Sequence, residues 1–443
     1  MEVKMKLDGK NLINTKTIIE DRKMDFQTAK GVSDISPEEK IMQNKVVNTI
    51  RSAFESYGFA PLETPIIERY ETLAAKFAAG ESSDALKEIF KLKDQGNRKL
   101  GLRFDLTVPL ARYMAANPML KLPFKRYEMG PVFRDGPIKK GRVRQFWQCD
   151  ADTIGVKSML AEAELLAIAE KVFNDLSMDV VIKVNNRMIL NGILEEAGIK
   201  DKGSAIVAID KLDKIGKGGV SEELKQRGYS KKQTDALFSY VTEKATLKTL
   251  KKIKNEEAQQ GIAEMEELFS YLKVMGVSTV KFDVSLARGL AYYTGTVYEA
   301  FAKKSSITSS LAAGGRWDDM IGKFSGRDTP AVGIAFGLVP LMEVLKEKEG
   351  FQKRTTAQVY VIPINTMTES LKMAKELREA GINVDFAFRK GVSKNLEYAG
   401  SVGIPYALIL GEDELKKKKV VLRNMTDGTE QVLSVKDVIK RLG

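Results

Sequence analysis

After Ser36-Pro37-Glu38-Glu39, apolar residues recur every four positions at Val46, Ile50 and Phe54. An N-cap serine, a first-turn proline and a glutamate three residues after the serine predict a helix opening there, and Gly58 closes it. Short strand-like runs follow at residues 59–68, 87–93, 99–107, 124–134 and 142–154. The links at 95–98 and 135–141 are too short for a crossover helix, so the runs they join must pair antiparallel. Helical spacing returns at 156–176, a strand is expected at 180–184, and 189–277 reads as charged helices broken at Gly198, Gly216 and Gly228, in the manner of an insertion. Strand character resumes at 280–286, 296–301 and 331–337, with a helix at 338–348.

Past a polar linker the grammar changes. Strands at 359–364, 383–387 and 406–410 alternate with helices at 369–379 and 394–402, which predicts a small α/β domain with a parallel sheet. The pattern therefore divides the chain into an extension (1–29), an antiparallel α+β domain (30–348, insertion about 189–277), a linker (349–356) and an α/β domain (357–443).

Composition narrows the chemistry. The 443 residues contain no histidine and one cysteine, Cys149. Imidazole is thus no general base, the usual nitrogen and sulfur zinc site is excluded, and no intrachain disulfide can form. Lys and Arg outnumber Asp and Glu by 71 to 59, which favours a polyanionic partner such as nucleic acid. No apolar run approaches the ~20 residues of a membrane span, and the polar N-terminus lacks a secretory h-region, so a soluble cytoplasmic protein is expected. The four lysines at 416–419 follow three acidic residues and read as a solvated turn.

The richest segment is the run from Tyr127 to Asp152. With period two, Arg142, Arg144, Phe146, Gln148, Asp150 and Asp152 share one strand face. Guanidinium groups suit phosphate oxygens, an aromatic ring suits a stacked base, and an amide with carboxylates suits a polar or cationic ligand. A solvent-facing strand laced by cross-strand ion pairs is the alternative.

Arg134, a short loop, and Arg142-Val143-Arg144-Gln145-Phe146-Trp147-Gln148-Cys149-Asp150 resemble motif 2 of the class II aminoacyl-tRNA synthetases in its histidyl-tRNA synthetase form. Leu286-Ala287-Arg288-Gly289-Leu290-Ala291-Tyr292-Tyr293-Thr294-Gly295 resembles that family's signature peptide, and Ala313-Gly314-Gly315-Arg316-Trp317-Asp318 its glycine-rich second signature. The opening at Lys30, the motif 1 segment around Pro65 and the run Arg103 to Pro109 also fit, and the resemblance extends through a C-terminal part similar to the family's anticodon-binding module.

The resemblance implies an α+β class II catalytic domain built on an antiparallel sheet, with a helical insertion and a small α/β anticodon-binding domain. The implied activity joins histidine to the α-phosphate of ATP and passes the acyl group to tRNA(His), with Mg2+ as cofactor and a homodimer as the assembly. Arg134 and Arg288 are the implied catalytic residues, clamping the α-phosphate. Phe146 would stack on adenine, and Arg142, Arg144 and Arg316 would complete the ATP set. Asp105, Thr107 and Gln148 would hold the substrate's backbone end, and Asp152 and Tyr293 its imidazole, with Arg288 and Tyr292 beside them.

Four departures from the family pattern stand out: Ser33 replaces a frequent arginine of the opening motif, Ala291 a usual polar residue, Trp317 a usual tyrosine, and Pro340 the ATP-binding arginine of motif 3. Pro340 is expected in the first turn of its helix, with Arg316 and Arg327 as the candidates to replace the lost charge. A non-catalytic histidine-binding paralogue is the alternative function. The absence of histidine has two readings: a ligase for histidine that would not stall on its own product, or plain drift or recoding.

Overall fold

The computed structural model describes residues 26–75, 86–138, 143–242, 244–287, 293–350, 354–389 and 391–443. The first helix, Pro37–Ser56, is capped as its sequence predicts. Ser36 Oγ accepts from the Glu39 amide at 3.3 Å, while the Glu39 carboxylate accepts from the Ser36 amide at 3.4 Å.

The predicted strand at 59–68 breaks into β1 (Ala60–Pro61) and β2 (Ile67–Arg69), because Pro61 and Pro65 remove ladder donors. The run at 87–93 is strand only in β3 (Lys91–Lys93). The next run ends early, at β4 (Lys99–Leu102), since Asp105 Oδ1 accepts from the Val108 amide at 3.0 Å and turns the chain into the helix Thr107–Ala116. β2, β4 and β3 form a small antiparallel sheet.

The main sheet has eight strands. It contains β1, then β5 (Phe124–Phe133), β6 (Gln145–Ile154), β7 (Val180–Asn186), β8 (Val280–Phe282), β9 (Thr296–Ala302), β10 (Ala312–Arg316) and β11 (Ala331–Gly337). Its order is β1-β5-β6-β11-β10-β9-β7-β8, antiparallel except at the two edges, where β1 joins β5 and β8 joins β7 in parallel. The pairing of β5 with β6 and of β3 with β4 bears out the argument from short links. β10 carried no strand signal, as alanine and glycine rank low in β-propensity; hydrogen bonding to β9 and β11 on both sides makes it a strand.

One face of this sheet buries the core. Phe336 of β11 packs between Phe54 of the first helix and Phe173 of the helix Leu160–Asp175, with ring centroids 5.9 and 5.8 Å away. Cys149, opposite Phe336 in the ladder, is on the same face and fully buried, which pushes its thiol far above the ordinary range and leaves it inert. The predicted insertion holds helices from Arg187–Glu196 to Glu256–Val274, and Gly216 interrupts one of them with φ of 66°.

The C-terminal sheet corrects an expectation. β12 (Val359–Pro363), β13 (Val384–Phe386) and β14 (Tyr406–Leu410) pair in parallel as predicted. β15 (Val420–Asn424) and β16 (Glu430–Leu433) add antiparallel, so the sheet is mixed. Helix Val435–Leu442 packs on this sheet and buries Val438 in its core.

Candidate active site

The second face of the main sheet forms a cavity of about 200 Å³. Its floor is β6, where Phe146, Gln148, Asp150 and Asp152 alternate with the core residues Cys149 and Ala151. The ladder sets Asp152 opposite Arg126, Asp150 opposite Glu128 and Gln148 opposite Gly130 on β5. On the other side Asp152 faces Gly333 of β11, where a Cβ would come within 1.9 Å of Asp152 Oδ1. Glycine at 333 is therefore what lets the carboxylate lie against the strand. Gly314 of β10 is equally constrained, as a Cβ there would sit 2.1 Å from the Gly333 carbonyl oxygen.

Most of the expected residues meet in this cavity. Asp105 and Thr107 enter from the start of the helix Thr107–Ala116, and Tyr293 and Trp317 from the far wall. Arg134 lies at the mouth, donating through Nε to the Phe104 carbonyl at 3.1 Å, with its guanidinium 5.0 Å from the centre of the Phe146 ring. Cation and aromatic face thus already adjoin where a nucleotide would need both.

Two expected residues point elsewhere. Arg144 precedes β6 instead of lying in it, and its guanidinium is 3.0 Å from Asp135. Arg316 is buried against Glu162, with Nε and Nη2 each 2.7 Å from a carboxylate oxygen, and its Nη1 donates to the Val156 carbonyl. That arginine braces the sheet against the helix Leu160–Asp175, because a guanidinium with such a buried partner is held fast by the cost of separating the pair. It does not replace the charge lost at Pro340. Pro340 itself is in the first turn of the helix Leu338–Glu349, where its missing N–H has no intrahelical use. Arg142, Arg288, Ala291 and Tyr292 lie outside the described residues.

Beside the floor, on the same face of the sheet, is a buried charge network that strand spacing alone did not reveal. Arg126 is 0 % exposed, its Nη2 donating to the Leu106 carbonyl at 3.0 Å and standing 2.8 Å from Asp152 Oδ2. Arg103 Nη1 donates to Glu128 at 2.7 Å and to the Thr64 carbonyl at the same distance. Gly130 makes room for it, since a Cβ there would be 2.3 Å from the Arg103 guanidinium. The available signal was opposite charge at alternate positions, Arg126 and Glu128, in a strand whose only other charge, Lys125, is on the opposite face.

Burial pushes the Asp152 carboxyl up to about 6, against the pull of Arg126 and a hydrogen bond from Trp317. Gln148 Oε1 and Asp150 Oδ1, both buried, have no hydrogen-bond partner among the described residues. Unfilled acceptors along a cavity floor suit a ligand rich in N–H donors.

Comparison with known proteins agrees. A family model described as Histidyl-tRNA synthetase matches residues 31–341, and an anticodon binding domain model matches 358–443. The chain belongs to the histidyl-tRNA synthetase family. Histidine–tRNA ligase 1 of Bacillus cereus is 43% identical over 430 residues, covering 95% of this chain and all of that protein. The histidine–tRNA ligase of Clostridium tetani is 38% identical over 93% of this chain and 96% of its own length. Among solved structures, histidyl-tRNA synthetase from Nostoc sp. PCC 7120 superposes with a TM-score of 0.85 at 34% identity, over 95% of this chain and all of that one.

Proposed function

We infer that the chain is an ATP-dependent ligase that activates histidine as its adenylate and transfers it to tRNA. Membership in the histidyl-tRNA synthetase family supports the activity, and the acceptor-lined floor formed by Gln148, Asp150 and Asp152 is the observation that carries it to this cavity. Histidine brings an ammonium group and ring N–H donors, and buried acceptors left empty by other amino acids give selectivity.

In the proposed site Asp105, Thr107 and Gln148 receive the backbone end of histidine, while Asp152 and Tyr293 receive the ring. The substrate carboxylate attacks the α-phosphate of ATP and pyrophosphate leaves, so the protein supplies position and positive charge, not a nucleophile. Arg134 at the mouth and Arg288 are assigned that charge, and Phe146 the adenine. Magnesium bound to the ATP phosphates would add positive charge at the same centre.

The proposed division of labour keeps activation in residues 30–348 and anticodon binding in 357–443, joined through the linker 349–356. A homodimer is proposed through the motif 1 region, where Ile66 and Ile67 beside Pro65 are 39 % and 52 % exposed. A cytoplasmic location is proposed too; no described helix is long and apolar enough to cross a membrane.

Pro340 supports a second reading, a histidine sensor, because a charge near the outer phosphates is gone. Histidine-dependent exchange of pyrophosphate into ATP separates the two. Exchange by the unaltered chain is expected; histidine binding with no exchange at saturating ATP and magnesium would replace the ligase by the sensor.

A further inference from the structure

One buried carboxyl of the acceptor-lined floor faces no assigned group of the substrate. Asp150 is 3 % exposed, between Gln148 and Asp152 on the cavity face of β6, and its Oδ1 has no hydrogen-bond partner among the described residues. The carboxylates around it are engaged. Glu128 accepts from Thr64 and Arg103, Asp105 from the Val108 amide, and Asp152 pairs with Arg126.

The groups facing Asp150 are Arg126 and Glu128 from β5, Asp152 on its own strand, and Asp105 from the start of the helix Thr107–Ala116. β11 brings only Ala335 opposite. Burial raises the Asp150 carboxyl well above the ordinary carboxylate range; Arg126 pulls it down, while Asp152, Asp105 and Glu128 push it further up. Four carboxyl groups share this corner with Arg126 and Arg103, and Arg134 lines the same cavity. The acceptor left open at Asp150 suits a donor-rich ligand.

We propose that Asp150 is a specificity-determining residue: its carboxyl group accepts an N–H of the bound amino acid. The inference rests on the reading that this cavity takes histidine. It adds a third acid to the two assigned by family pattern, placed between the group that receives the substrate's backbone end and the one that receives its ring.

Titration calorimetry of the full chain with histidine, and separately with ATP, at pH 7.5 tests it. Asp150→Asn should bind histidine about tenfold to a hundredfold more weakly, with its ATP affinity unchanged. Should that variant fail to fold, Asp150→Ser removes the carboxyl without adding volume, and the same outcomes apply. Wild-type histidine affinity in the variant would overturn the inference alone. No histidine binding by the unaltered chain would overturn the substrate reading along with it.

Discussion

The two large sheets follow different rules. In the C-terminal sheet, Val359, Val361, Leu408, Leu410, Val420 and Leu422 are at most 4 % exposed and form one apolar core. The main sheet carries Arg126, Glu128, Asp150 and Asp152 in its interior at 3 % exposure or less, and glycines where side chains would collide with one another. The first sheet is stabilised by burial in the ordinary way. The second retains desolvated charge and unfilled acceptors that only a bound ligand completes, a departure from local rules expected where a protein acts.

Removing the hub of the charge network should separate the two sheets most sharply. Arg126→Ala would leave Asp152 and Glu128 without that cation and is expected to cost about 3–5 kcal/mol in urea unfolding. A variant as stable as the parent would show that the network is solvated in solution. Leu408→Ala, in the apolar sheet, should cost about 2–5 kcal/mol of that sheet's stability and leave histidine-dependent pyrophosphate exchange unchanged. Lost exchange would mean that the two sheets are energetically one unit.

At the cavity itself, Asp152→Ala is expected to weaken histidine binding by about 1.5–3 kcal/mol while the ATP constant holds. If both constants stayed at wild-type values, Asp152 would have no place in recognition. The smallest effect is a pH dependence of stability. The folded-state Asp152 carboxyl titrates near 6, above its unfolded value of 3.8, so the folded chain binds more protons in that window. Its contribution is therefore greatest at low pH and declines as pH rises from about 4 to 6. Asp152→Asn should gain stability relative to the parent over this interval, and a constant difference would show that the carboxyl is not desolvated.

Arg144 and Arg316 show where linear pattern misleads. Alternation put Arg144 on the cavity face, but β6 starts only at Gln145, and a loop residue obeys no such parity. Arg316 belongs to a recognisable signature, yet its direction depends on Glu162, 154 positions away in sequence. Phe146, Gln148 and Asp152 were legible because they lie within one strand, where period two leaves a single choice of face.

By itself, the sequence determined the hairpin of β5 and β6, the capped first helix, the run of parallel strands near the C-terminus and the family, because each depends on short-range spacing or on contiguous motif residues. Only the tertiary structure decided that Ala312–Arg316 is a central strand, that β15 and β16 add antiparallel, and that Arg126 pairs with Asp152 at the site. These depend on partners distant in the chain. A glycine-rich segment has no propensity of its own to declare, and a buried charge is tolerable only where remote residues supply its counter-charges.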